Sequence, residues 1–468
     1  MSDEAMRGDG AMVGGGAEPE GDRLLDGMFA TPAVLVALDD GARLRTMLAF
    51  EVALAAAQAD LGIVPRDAAD MIAACASPKA FDIAAIAQAA GRAGNIAIPF
   101  VAAFTAIVAR RDGAAARYVH WGATSQDVID TATVLQLRAA VSALRIDLLR
   151  LETALARIVA DHAATVLPGR TWLQHAVPTT LGLKAAGWLT AVAAARRAVD
   201  DAAARAASLQ FGGAAGTLAS LTGQGLDVAR RVAAHLDLRL PPLPWHTLRG
   251  ELAACGGALG VLCGALGKLA RDLSLMMQTE IVELLPPGGK GQGGSSTMPH
   301  KRNPVGCAIA LSVATQAPGL VATLLSAMVQ EHERGLGGWH AEWQTLPALL
   351  RLAAASAARM AETVEGTEIR PGAMRADLGR THGLMMAEAV SMDLARSIGK
   401  EDAHHVLEEA SRTALAEGRP LEQVLKQDRR VTVALSADEI GRLMDPAHYL
   451  GNARDFCERA LQAWRGGE

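Results

Sequence analysis

The feature that most constrains the fold is a helical stretch that runs from Val128 to about Thr165. Aliphatic residues recur along it at alternating intervals of three and four, at Val134, Leu137, Val141, Leu144, Leu148, Leu151, Leu155 and Ile158. This heptad pattern is typical of a long helix that packs against others in a bundle. At 1.5 Å per residue such a helix spans ~55 Å, which is too long for an ordinary globular helix.

Further helical stretches follow, separated by loops that carry the unusual polar residues. They are Thr179 to Leu209, Glu251 to Leu285, Val305 to Arg334 and Trp343 to Val364. Half of the residues are hydrophobic but only 3% are aromatic, so small aliphatic side chains must build a core of close-packed helices. We predict an all-α fold of three helical domains with an elongated central helical bundle. The predicted parts are a disordered tail (1–22), an N-terminal helical domain (23–118), the central long-helix bundle (119–366) and a C-terminal helical domain (367–468).

Composition argues against several classes of function. The formal net charge of −5, without a long basic run, argues against a nucleic-acid partner. The five cysteines form no Cys-x-x-Cys pair and the histidines show no ligand spacing, so we predict no metal, no cofactor and a reducing, cytoplasmic location. The N-terminus lacks the apolar core of a signal peptide, and we identify no apolar run of membrane-spanning length. We therefore expect no membrane association.

The loop His120–Asp127 precedes the longest helix and ends in Thr124-Ser125-Gln126-Asp127. One interpretation is a helix cap, in which a hydroxyl accepts from free backbone N–H groups. The other is an anion site, because the same N–H groups and hydroxyls at a helix N-terminus suit a carboxylate. His120, Thr124, Ser125 and Gln126 are therefore candidate substrate-binding residues.

A second loop, Gly169–Thr180, carries His175 and two candidate substrate-binding residues, Trp172 and Gln174. Pro178 stands where the next helix is expected to begin. Two interpretations of the histidine stay open: a proton donor that works near neutral pH, or a structural residue beside a helix start.

A third loop, Gly293–Pro304, contains two glycines, two prolines, three hydroxyls, a histidine and two cations. Because proline restricts φ and glycine frees it, this stretch cannot form a regular helix or strand. Its cations beside a pair of serines indicate a site for an anionic substrate. A serine acts as a base only where cations and N–H donors stabilise its alkoxide. The candidates are Ser295, Ser296, His300, Lys301, Arg302 and Asn303.

A fourth loop, Glu331–Trp343, concentrates tryptophan, histidine and arginine in a chain that has only seven tryptophans. It is either a packed turn between helices or a substrate-binding segment, with Arg334 as a carboxylate clamp and Trp339 and His340 beside it. Asn95 also has two interpretations, since it lies in a loop between glycines and a proline: a ligand donor or a turn-forming residue.

The third loop resembles the signature of the fumarase/aspartase superfamily, and the first two loops resemble its other conserved regions in the same order. The resemblance implies an all-α homotetramer with three domains per chain, whose active sites combine loops from three subunits. In that superfamily the residue matching Ser295 is the catalytic base. Residues matching Lys301 and Asn303 bind substrate, and the pair matching Thr124 and Ser125 contacts its carboxylate.

Three positions depart from the common lyase pattern. Trp172 stands where many members have the general-acid histidine, and Ala308 stands where a glutamate usually follows the signature. The loop at 94–99 lacks the histidine of adenylosuccinate lyases. In these respects, and in its Trp339–Trp343 cluster, the chain is similar to the superfamily branch of 3-carboxy-cis,cis-muconate cycloisomerases.

That branch converts a tricarboxylate diene to 4-carboxymuconolactone in protocatechuate breakdown, the β-ketoadipate pathway. A carboxylate oxygen adds to the substrate's own double bond while a proton is delivered α to another carboxylate. The resemblance therefore implies a small tricarboxylate substrate, whose charges need Lys301, Arg302, Arg334 and the helix N-terminus at Thr124. Two alternatives stay open: a fumarate-releasing lyase of the adenylosuccinate type, and a catalytically silent structural homologue.

Overall fold

The computed structural model describes residues 23–288, 293, 298 and 301–467. The predicted disordered tail and three of the predicted site residues, Ser295, Ser296 and His300, lie outside the described residues. The described part is almost entirely helical and contains only short strands. The predicted all-α class is therefore confirmed.

The N-terminal part consists of short helices around one longer helix. They are α1 (Arg23–Phe29), α2 (Pro32–Leu38), α3 (Asp40–Asp60), α4 (Arg66–Cys75), α5 (Ile83–Ala93) and α6 (Ala97–Ala109). The carboxylate of Asp39 caps α3 by accepting from the backbone N–H of Ala42. Its other end stops before Gly62, which adopts a φ of 71°.

The long helices form the centre of the molecule. They are α7 (Ser125–Asp161), α8 (Leu181–Ala206), α9 (Gly225–His235), α10 (Gly250–Met276), α11 (Val305–Ser326) and α12 (Gly338–Gly366). Helix α7 packs along α8 and α12, and α10 packs along α8 and α11. The predicted heptad residues from Val134 to Leu155 are buried on α7, so this seam is what joins the helix to its neighbours.

The loop Gly169–Thr180 differs from the prediction, because it belongs to a β-hairpin of β1 (Val166–Thr171) and β2 (Gln174–Thr180). The two residues at its tip, Trp172 and Leu173, have φ angles of 53° and 64°. Positive φ at both central positions is the geometry of a two-residue hairpin turn that matches strand twist. Pro178 lies inside β2 and does not begin a helix, since α8 starts at Leu181.

Two helices are shorter than predicted. Helix α10 ends at Met276, and the chain then turns at Val282, which has a φ of 50°, and forms β3 (Leu284–Leu285). β3 pairs with β4 (Glu368–Ile369), which follows α12. Helix α11 ends at Ser326, and the fourth predicted loop begins beyond it.

The C-terminal part has a small core of its own, built from residues between Leu378 and Met444. Its helices are α13 (Pro371–Leu378), α14 (Ala387–Ile398), α15 (Lys400–Glu417), α16 (Leu421–Leu425), α17 (Arg429–Thr432), α18 (Ala437–Leu443) and α19 (Ala453–Arg465). The last helix leaves this core and returns to the bundle, where the indole N–H of Trp464 donates to Glu152 at 3.0 Å. The N-terminal helices share one continuous core with the bundle.

Helices α10 and α11 are long and apolar enough to cross a membrane by length and composition, with a mean hydropathy of 1.6 each. Helix α11 contains no charged residue, so the expectation that no apolar run reaches membrane-spanning length is wrong for this helix. Helix α10 packs against α8 and α11 as a core helix, whereas α11 packs against α10 and α12 and buries only 28% of its most apolar window within one chain.

Leu151→Ala should lower the stability of the protein, because Leu151 lies fully buried in the seam of α7. Removing a buried leucine side chain leaves a cavity and costs about 2–5 kcal/mol. Arg157→Ala on the exposed face of the same helix is the matched control and should change stability by less than about 0.5 kcal/mol. Thermal unfolding measures both; equal midpoints for the two variants would contradict the assignment of the seam.

Candidate active site

The predicted site residues that the structure describes fall into two groups at opposite ends of α7. His120, Thr124 and Arg334 lie at its N-terminal end, where Arg334 contacts Thr124. The hairpin follows its C-terminal end, and Arg302 lies there, 3.9 Å from Glu368 of β4. A helix of 37 residues separates the two groups by about 55 Å within one chain.

The N-terminal end of α7 is organised around the carboxylate of Asp127, which is completely buried. The donors to its two oxygens are the backbone N–H groups of Thr124, Gly212 and Gly213 and the side chains of Gln210 and His246, all at 2.9–3.1 Å. The hydroxyl of Thr124 completes a capping box with Asp127, so the predicted helix cap is present. Asp127 thus joins the helix start to a distant loop.

Arg334 connects the fourth loop to this helix start. Its guanidinium donates to the hydroxyl of Thr124 at 3.3 Å, to the amide oxygen of Gln126 at 3.2 Å and to the carbonyl of Ala214 at 3.2 Å. The side chain is exposed, so its cation remains accessible beside the free N–H groups of the helix. The structure therefore brings three predicted residues into contact.

Two predicted residues lie inside the protein. Gln126 is fully buried, and its amide N–H groups donate to Asp130 at 3.0 Å and to the carbonyl of His246 at 2.7 Å. Trp339 is 3% exposed and donates its indole N–H to Asp130 at 2.9 Å. Arg249 pairs with Asp130 at 2.6 Å in the same network, where the adjoining carboxylates raise its pKa despite burial. These contacts favour the packed-turn interpretation of Trp339.

His340 and Asn95 lie together at the same end of the molecule. The His340 Nε2–H donates to the carbonyl of Gly94 at 3.1 Å, and its ring centroid lies 4.5 Å from that of Trp343. The side-chain oxygen of Asn95 accepts from the backbone N–H groups of Ala97 and Ile98. Asn95 therefore shapes the turn before α6 in this chain, and its contact with substrate stays a prediction.

The side chain of His120 contacts Glu51, which was not among the predicted site residues. Its Nδ1 lies 2.6 Å from Glu51 Oε1, and the Glu51 side chain is only 1% exposed. Burial lowers the pKa of His120, but the charge of Glu51, its hydrogen bond and the charge of Asp127 outweigh burial and raise it. One signal was present in the sequence: Glu51 is a charged residue among mostly aliphatic residues on one face of α3.

The hairpin at the opposite end is anchored by an ion pair. Arg170 donates to both carboxylate oxygens of Glu283, at 2.9 and 3.0 Å, and lies 3.6 Å from Asp377. His175 stands nearby with its Nδ1 buried and without a partner among the described residues. Burial and then the charge of Arg170 lower its pKa, so this histidine is neutral near pH 7.

The tip of the hairpin is open to solvent in a single chain. Trp172 is 96% exposed, and Gln174 is exposed as well. An exposed tryptophan on a turn with two positive φ angles is unusual, because bulky residues rarely adopt that region. The structure therefore places both predicted residues where another molecule can contact them.

The described flank of the third loop lies next to a cavity of about 330 Å³. The backbone N–H of Asn303 donates to the carbonyl of Gly293 at 2.9 Å, and both residues line this cavity. Lys301 is exposed. Across residues 23–288, 293, 298 and 301–467, no cluster of His, Cys, Asp or Glu is placed to hold a metal ion.

A bundle of long helices, with a capped helix start at one end and a hairpin at the other, is the architecture expected from the resemblance to the superfamily of lyases. The chain belongs to that family: the family described as Lyase matches residues 30–319, and the one described as Adenylosuccinate lyase C-terminus matches residues 383–460. The predicted membership in the fumarase/aspartase superfamily is confirmed.

Individual relatives extend this match over nearly the whole chain. A 3-carboxy-cis,cis-muconate cycloisomerase of Pseudomonas aeruginosa is 51% identical over 94% of this chain and 96% of its own. The crystal structure of the 3-carboxy-cis,cis-muconate lactonizing enzyme from Pseudomonas putida matches with a TM-score of 0.91 and 46% identity, over 95% of this chain and 100% of that one. A nitrosuccinate lyase of Streptomyces davaonensis is 44% identical over 94% of both chains.

Asp127→Asn should destabilise the protein and disorder the start of α7. An amide in place of the carboxylate turns N–H groups toward existing donors and leaves buried groups unpaired, which costs about 3 kcal/mol or more. Asp161→Asn, at the exposed last residue of α7, is the matched control and should change stability by less than about 0.5 kcal/mol. Thermal unfolding of both variants is the measurement, and a wild-type midpoint for Asp127→Asn would refute the account.

Proposed function

We propose that this chain is a 3-carboxy-cis,cis-muconate cycloisomerase, an intramolecular lyase that forms 4-carboxymuconolactone. The observation that carries the proposal is identity of about 50% to cycloisomerases over 94% of the chain. The departures at Trp172 and Ala308 agree with it, because the reaction expels no amine. A tethered carboxylate needs no protonation by a general acid to leave or add.

Ring closure forms one C–O bond and one C–H bond while the π bond of one alkene is lost. In the ring-closing direction a substrate carboxylate oxygen bonds to an alkene carbon, and the neighbouring carbon takes a proton α to another carboxylate. In the reverse direction Ser295 removes that proton, and by microscopic reversibility the same hydroxyl returns it. We assign Ser295 and Ser296 to the base-bearing loop, with Lys301 stabilising the alkoxide.

The substrate carries about three carboxylates, which must be paired with donors once they leave water. At one end of α7 the donors are His120, Arg334 and the helix N-terminus with Thr124 and Ser125. At the other end of α7 the candidate donors belong to the segment that follows the two serines in the sequence. They are Lys301, Arg302 and Asn303; we also assign His300, which lies outside the described residues, to substrate binding and keep His175 as the candidate proton donor. Such preorganised donors also stabilise the aci-carboxylate that develops during proton transfer.

We further propose that the active enzyme is a homotetramer with shared active sites. Groups about 55 Å apart in one chain cannot hold one small substrate, so a neighbouring copy must supply the second group. Two surfaces support association: only 28% of the most apolar window of α11 is buried in one chain, and Trp172 is exposed. Free, buried cysteines at all five positions suit a cytoplasmic enzyme.

The second candidate is a lyase that splits a substituted succinate. The specific observation in its favour is the 44% identity to the nitrosuccinate lyase. Both reactions use proton transfer α to a carboxylate, so the same base and the same carboxylate donors serve either one. Assays with the substrates themselves distinguish the two.

The purified protein should consume 3-carboxy-cis,cis-muconate, as followed by loss of its ultraviolet absorbance. Ser295→Ala should lower the rate about 100-fold or more, because it removes the proton-transferring group. Fumarate release is measured in parallel with adenylosuccinate and with nitrosuccinate. Turnover of either lyase substrate without muconate loss would replace the first proposal by the second.

Arg334→Gln should raise KM for the tricarboxylate about tenfold to hundredfold with a smaller effect on kcat. A charge-assisted hydrogen bond to a carboxylate contributes about 1.5–3 kcal/mol, and its loss from ground state and transition state alike appears in KM. Arg138→Gln is the matched control, since Arg138 also lies on the bundle surface and donates to a backbone carbonyl. Steady-state kinetics that show equal KM values for the two variants would assign Arg334 to packing alone.

A further inference from the structure

Helix α3 holds the turn that carries His120 through two side chains. Glu51 contacts His120 Nδ1 at 2.6 Å, and Gln58 donates to the carbonyl of Trp121 at 2.7 Å. The two residues are seven positions apart, so they lie on one face of α3. Both are at most 2% exposed, which makes polar groups there costly unless they are bonded.

The turn needs this support because its backbone is strained. His120 has a φ of 57°, in the left-handed region that side chains with a Cβ rarely adopt. Residues held in such regions are found where the surrounding structure enforces them, often at functional sites. The hydrogen bonds from α3 on both sides of this peptide supply that enforcement.

The contact with Glu51 decides which protons His120 carries. A carboxylate only accepts hydrogen bonds, so Nδ1 must be the donor. The other nitrogen, Nε2, has no partner among the described residues, while the ring remains 15% exposed. Glu51 Oε2 is buried and likewise unpartnered within the described chain, so His120 is the group that compensates its charge.

The charged surroundings of His120 favour the imidazolium. Glu51 faces it from α3 and Asp127 from α7, while Asp127 itself is bonded to His246 and Gln58 is neutral. Arg334 is the nearby cation, and it contacts Thr124. Burial acts to lower the pKa of His120, and the two carboxylates raise it overall. A protonated ring presents Nε2–H as a free charged donor.

We propose that Glu51 is a positioning residue that accepts from His120 Nδ1–H, orients the ring and compensates the charge of its protonated form, whose Nε2–H then binds a carboxylate of the substrate. The identity of that substrate rests on the proposed function. Glu51 itself touches no substrate. Its effect passes entirely through the histidine.

Glu51→Gln should keep a side-chain oxygen that accepts from His120 Nδ1–H and should remove the negative charge. The pKa of His120 then falls, because burial remains and its main carboxylate partner is gone. The basic limb of the kcat/KM profile should move to lower pH, and KM at pH 8 should rise about tenfold or more while kcat changes less. Glu51→Asp should restore part of the wild-type profile.

Two controls separate positioning from a structural effect. Glu152→Gln removes another buried carboxylate, paired with Arg196 about 40 Å away along α7, and should leave the pH profile in place. In a His120→Gln background, Glu51→Gln should have no further effect on the profile. A Glu51→Gln variant that lowers kcat/KM equally at every pH, or that acts equally in both backgrounds, would overturn the proposal.

Histidine-selective NMR of the intact protein supplies a readout that does not depend on activity. The resonance assigned by its loss in His120→Gln should titrate at lower pH in Glu51→Gln than in the wild type. An unmoved titration refutes the Glu51 assignment even if muconate is the substrate. A shifted titration in a protein that does not turn over muconate refutes the proposed function and leaves the Glu51–His120 coupling intact.

Discussion

The carboxylate of Asp127 is the interaction on which this end of the molecule depends. Donors from three separate segments converge on its two buried oxygens, including the backbone at Thr124 and Gly212 and the ring of His246. A buried carboxylate is tolerable only when its lone pairs are filled, and here they hold the start of the longest helix in one place. Arg334 contacts the helix start that Asp127 positions, so the proposed carboxylate site depends on a buried structural carboxylate behind it.

The length of α7 has an equally direct consequence for function. The buried seam from Val134 to Leu155 packs α7 against its neighbours along its length, so the two ends of the helix stay about 55 Å apart. The proposed carboxylate donors at one end and the hairpin at the other can serve one small site only if a second copy of the chain contributes to it. The uncovered apolar surface of α11 offers the contact area for this. The proposed sharing of active sites between subunits therefore follows from the length of one helix.

Local rules predicted α7, its seam and the capping box, because each depends on spacing within one segment. The same rules did not predict the hairpin, because its turn consists of Trp172 and Leu173 and lacks the glycine or asparagine that is typical of such turns. They missed Glu51 and the burial of Gln126, whose partners His120 and His246 stand far away in the sequence. The signature loop was recognisable by resemblance, whereas contacts across the fold depend on tertiary packing.

Two histidines of the proposed site show how one fold separates binding from proton handling. Burial acts on both rings in the same direction and lowers the pKa of each. The partners then decide the outcome: Glu51 reverses the shift at His120, whereas Arg170 adds to it at His175. In the proposed site the first loop therefore favours a protonated ring, which suits a carboxylate of the tricarboxylate, and the second favours a neutral ring, which suits proton exchange.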